Sequence, residues 1–75
     1  MINFKEAAKE IIDFEREMFE IEPQMGKMEL ANQIWATRLN PADRLEIMNL
    51  VGASDMKGGA MAKLRKCTAY IAEQL

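Results

Sequence analysis

Residues 3–21 read NFKEAAKEIIDFEREMFEI, and the spacing of their apolar side chains decides the fold class. Phe4, Ala7, Ile11, Phe14, Met18 and Ile21 recur at intervals of 3-4-3-4-3, the a/d seam of a helix that packs against other helices. Ala8, Ile12 and Phe19 widen the seam until the apolar arc covers about half the circumference. That is more than one neighbouring helix normally covers. Asn3 has the chemistry of an N-cap, Glu6 stands where a capping box places its acid, and Ile2 and Ala7 occupy the staple positions. Pro23 disfavours helical backbone at Glu22, so the first helix is expected to end near Ile21.

Working outward, three further helices are expected. The second runs from Pro23 or Lys27 to Leu39, depending on where Gly26 falls. The third is short, with Asn40 as cap, Pro41 at the first helical position, Asp43 in the first turn and Gly52 as the stop. The fourth opens at or after Ser54 and reaches the C-terminus, its start weakened by Gly58-Gly59, where the chain stays a loop until Ala60 or lets another backbone come close. No segment alternates with the period of two that a strand requires. The expected fold is therefore all-α: a single domain over residues 1–75, built as a bundle of three to four helices, with dimerisation one way to complete it. The expected inward lines are Ala31, Trp35 and Leu39 with Met28 on the second helix, Leu45, Met48 and Val51 on the third, and Ala60, Leu64, Cys67 and Ile71 on the fourth.

Composition narrows the function. The 75 residues hold one Cys and no His, so neither an internal disulfide nor a zinc site stabilises the fold. Without His there is no Ser-His or Cys-His dyad, and the Glu-x-x-His motif of di-metal bundles is absent. Neither phosphate-binding glycine pattern occurs. An enzyme, a cofactor and a small-molecule substrate are not expected. Cys67 reads as a small buried hydrophobe. The N-terminus lacks the pattern of a signal peptide and no apolar run could span a bilayer, so the expected setting is cytoplasmic, with no membrane partner. The polar side of the first helix carries Glu6, Glu10, Asp13, Glu17 and Glu20, diluted by Lys5, Lys9 and Arg16; Lys9/Asp13 and Arg16/Glu20 are spaced to pair. An acidic face of this kind is the wrong sign for anionic lipid.

Glu15 interrupts the apolar arc at its centre, and Arg38 and Arg44 are the arginines that could pair with it there; at the rim of a contact it reaches water instead. Seven Met in 75 residues is high, and Met serves both as core filler and on surfaces that repack on contact. These features favour a non-enzymatic interaction module: a regulator, adaptor or inhibitor of a larger protein, of which a phage or mobile-element inhibitor is one form. Candidate contact residues are Phe4, Ile11, Phe14, Glu15, Met18, Met25, Met28, Trp35 and Met56. Either the first helix packs against its own copy as a homodimer, or the Met-rich ends of the second and fourth helices dock on the partner.

The alternative is DNA binding. Residues 47–66 resemble a helix-turn-helix, with Leu50-Val51-Gly52-Ala53-Ser54 as the turn and Ser54 opening the second helix. That resemblance implies a transcriptional regulator with Ser54, Lys57, Lys63 and Lys66 as nucleic-acid contacts. Met48 and Gly58 depart from the pattern, which calls for a small and a branched apolar residue there. The acidic pI of about 5.1 also opposes phosphate binding.

Overall fold

The computed structural model describes all 75 residues, and every regular element in it is helical. Helix α1 spans Phe4–Phe19, α2 Lys27–Thr37, α3 Pro41–Leu50 and α4 Ala60–Glu73, with a 3-10 turn at Ala53–Asp55 between the last two. The local signals explain most of these boundaries. Asn3 Oδ1 accepts from the Glu6 amide at 3.0 Å, and Asn40 Oδ1 accepts from the Asp43 amide at 2.8 Å. Each satisfies one of the amides that a helix start leaves unpaired. Gly52 takes a left-handed φ of 71°, which ends α3 at little steric cost.

The end of α1 differs from the sequence expectation, while the start of α4 takes one of its two expected forms, a loop until Ala60. Helix α1 stops at Phe19, because Glu20 adopts a left-handed φ of 55° while its amide still bonds to Arg16 O. The chain then doubles back, held by a two-pronged pair from Arg16 to Glu22 with both bonds at 2.8 Å. Arg16 also bonds Asp13, so the expected Arg16/Glu20 pair gives way to Asp13–Arg16–Glu22; Lys9 does meet Asp13, at 3.4 Å. Helix α4 begins only at Ala60. Ser54 donates its hydroxyl to Asn49 Oδ1 at 3.0 Å instead of capping α4, and Gly58 and Gly59 lie outside the helix.

Helix α2 is the central element, packing on α1 along one side and α4 along another. Ala31 and Ile34 are fully enclosed, with Leu30 and Leu39 beside them. Ala7, Ala8 and Ile11 meet them from α1, and Cys67, Thr68 and Ile71 from α4. The two alanines on α1 and Ala31 on α2 are small, which suits close approach of these helices. Phe4 and Tyr70 meet edge-to-face, ring centres 6.2 Å apart, tying the start of α1 to α4. The buried Thr68 hydroxyl is satisfied by Leu64 O at 3.1 Å.

Three inward lines read from sequence need correction. On α2, Leu30, Ala31 and Ile34 form the core side while Met28 is exposed and Trp35 half-buried. On α3 the buried residue is Ile47, and Leu45 faces outward. Ten residues carrying apolar side chains at 45, 47, 48 and 50 give no single stripe, so packing of α3 on α4 and the 3-10 turn selects the face. On α4, Ala60 is exposed and Leu64 half-buried, with the core formed by Cys67, Thr68 and Ile71. Replacing Ile47 with Ala is expected to destabilise the fold by about 2–5 kcal/mol, whereas Leu45→Ala should change it by no more than about 0.5 kcal/mol. Urea unfolding followed by circular dichroism measures both.

Candidate contact surface on helix α1

Sixteen residues make α1 about 24 Å long, while the eleven of α2 reach about 16 Å. Beyond Ile12 the apolar side chains of α1 are left largely without cover. Phe14, Met18, Phe19 and, just past the helix, Ile21 are each 58–66% exposed. Phe14, Met18 and Ile21 continue the seam that buries Ala7 and Ile11, so one apolar stripe is core at its start and solvent-facing at its end.

Glu15 lies at the junction. It is half-buried in an open groove of about 400 Å³ between Ile11, Phe14 and Phe19 of α1 and Gln33, Thr37 and Arg38 of α2. No cation lies within ion-pair distance of it. Arg38 is turned to Glu10, at 3.6 Å. Arg44 donates to Trp35 O at 2.9 Å and Ala36 O at 3.3 Å, with its guanidinium 5.6 Å from the Trp35 ring centre. It thereby caps the carbonyl end of α2 with a cation and stacks on an aromatic face. Neither arginine forms an ion pair with Glu15, although Arg38 lines the same groove. From Asp13 to Glu22 there are five carboxylates and one arginine, and Arg16 is engaged with Asp13 and Glu22.

The remaining candidate residues divide by location. Ile11 is core and Phe4 is held by Tyr70, so both are committed to the chain's own fold. Met25 and Met56 are half-buried against the core. Met28 and Trp35 belong to a second surface, where α2 and α4 flank an open cleft of about 550 Å³ that includes Met61, Leu64 and Arg65. A smaller cleft of about 310 Å³ continues from Trp35 past Met48 to Cys67. Ser54 sits in the 3-10 turn and Lys57 in the loop after it, while Lys63 and Lys66 are on α4. With residues 51–59 separating α3 from α4, the structure lacks the short turn that would bring these four onto one reading helix. Phe19, Ile21 and Met61 add exposed apolar surface beyond the contact residues expected from sequence, Phe19 on the side where it widens the apolar arc.

Chemically the surface offers apolar area and carboxylates. No group of three or more His, Cys, Asp or Glu is arranged to hold a metal ion. Cys67 is enclosed, and desolvation pushes its thiol above the ordinary value, away from thiolate chemistry. No helix is long and apolar enough to cross a membrane. Comparison with known protein families, curated proteins and solved structures returns no match.

Two measurements follow. Ellman's reagent should label Cys67 slowly in the native protein and promptly in denaturant; fast native labelling contradicts its enclosure. The hydrogen bonds from Arg16 hold the Glu22 carboxyl below its ordinary value. The pair's contribution is therefore present above the ordinary carboxylate value and lost as pH falls through the lowered one. Carboxyl-detected NMR should show the Glu22 midpoint rising in Arg16→Gln.

Proposed function

We propose that this chain is a small interaction module that acts by contact with a larger protein, as a regulator, adaptor or inhibitor, without catalysing a reaction of its own. The observation that carries the reading is the exposed end of α1. Phe14, Met18, Phe19 and Ile21 lie within eight consecutive residues and all present most of their surface to solvent. Contiguous exposed apolar surface with a polar rim is the usual mark of a contact site, and large aromatic and Met side chains supply most of the binding energy at such sites. The rim here is Glu15, Glu17, Glu20 and Glu22. The Trp35 cleft supplies a second, Met-lined surface suited to a contact that repacks.

A photo-crosslinking amino acid at Phe19, introduced in the source cell, tests this directly. A discrete adduct larger than twice the chain mass, lost when Phe14→Asp is added, is the expected result. No adduct, or one indifferent to Phe14→Asp, overturns the reading. An adduct of twice the chain mass, with a dimer by light scattering at micromolar concentration, assigns the face to self-association.

A further inference from the structure

The charges around the exposed end of α1 select its partner, and the inference drawn from them rests on the contact reading above. Within α1 the 3-4 spacing assigns Ile11 and Met18 to a positions and Phe14 to the d position between them, with Ile21 just past the helix end. The flanking e position is then Glu15 and the flanking g positions Glu10 and Glu17, so all three are acidic. Charges at e and g decide which helix pairs with which, because like charges across the seam repel. A second copy laid parallel on this face sets Glu10 against Glu15. Laid antiparallel, it sets e carboxylates against e carboxylates and g against g. Both arrangements bring carboxylate to carboxylate beside a seam that excludes water.

The structure shows which of these charges are free. Glu10 is within 3.6 Å of Arg38, and Glu22 is bound on both oxygens by Arg16. Glu15 and Glu17 have no ion pair, and Glu15 stands in the groove between Phe14 and Phe19. A carboxylate at the centre of a face about to be covered needs a cation from whatever covers it.

We propose that the overhanging end of α1 is the docking face for a basic amphipathic helix of a partner protein. Apolar residues of that helix seat on Phe14, Met18 and Phe19, and its flanking Lys or Arg residues meet Glu15 and Glu17. The helical form of the partner follows from the unfilled heptad and from the walls of the groove, which are two helices with no strand edge to extend.

The test uses the full chain and two fluorescent helical peptides about five turns long. One carries Leu at 3-4 spacing flanked by Lys, the other the same Leu pattern flanked by Glu. Fluorescence anisotropy should show binding of the Lys peptide only. Phe14→Ala should weaken it about tenfold or more. The pair Glu15→Lys and Glu17→Lys should transfer binding to the Glu peptide, with circular dichroism confirming that each variant keeps its helices. Three results overturn the proposal: no binding of the Lys peptide, binding unaffected by these substitutions, or self-association of the chain that the same substitutions abolish. If the crosslinking experiment captures a partner through Phe19 while the Lys peptide fails to bind, the contact reading stands and the basic-helix assignment falls. If both fail, the contact reading falls with it.

Discussion

Close packing of α2 against two neighbours is the constraint on which the rest of this structure depends. Ala31 and Ile34 have no exposed surface, and they are covered from one side by Ala7, Ala8 and Ile11 and from another by Cys67 and Ile71. A chain of 75 residues with no disulfide and no metal site has little else to hold it. Burial is concentrated in a few positions, eleven apolar residues in one cluster, and each element is ordered by reaching that cluster. Helix α1 reaches it with Ala7, Ala8 and Ile11, and Ile12 packs against its edge. The apolar residues of α1 beyond Ile12 lie outside the cluster and stay exposed.

The open groove explains why a glutamate is tolerated at the centre of an apolar arc. Enclosed without a partner, its carboxylate would cost several kcal/mol. Half-buried at the groove's edge, Glu15 keeps access to water. Neither of the arginines expected near Glu15 forms an ion pair with it. Arg44 caps the carbonyl end of α2 and stacks on Trp35, and Arg38 faces Glu10. Pairing follows the three-dimensional approach of helices, which no helical wheel contains.

What could be read from the sequence was local chemistry and period. The caps at Asn3 and Asn40, Pro41 at the start of α3, the left-handed Gly52 and the enclosed Cys67 each depend on a residue and its near neighbours, and each is found. The misread features depend on distant parts of the chain. Ser54 has the chemistry of an N-cap, but a hydrogen bond to Asn49 and the following Gly58-Gly59 draw it into a turn. Leu45 looked inward because α3 is apolar on most sides, and only packing on α4 and the 3-10 turn turns Ile47 to the core. For the contact surface, the sequence shows that the α1 arc is wide. It cannot show that cover stops at Ile12, because that depends on how the helices approach in three dimensions.

An uncovered apolar face is a liability unless something limits what it will accept, and the acidic flanks supply that limit. Phe14, Met18 and Phe19 alone would accept any apolar surface, including their own copy. The flanking carboxylates Glu15 and Glu17, which have no ion pair of their own, oppose same-face pairing, while Glu10 faces Arg38 and Arg16 holds Asp13 and Glu22. Of the basic residues at the opposite end of the sequence, Lys63 and Arg65 line the clefts beside Trp35. The two apolar surfaces therefore carry side chains of opposite charge beside them. Discrimination of this kind needs no additional core and no catalytic group, which suits a fold whose burial is already committed to keeping α2 in place.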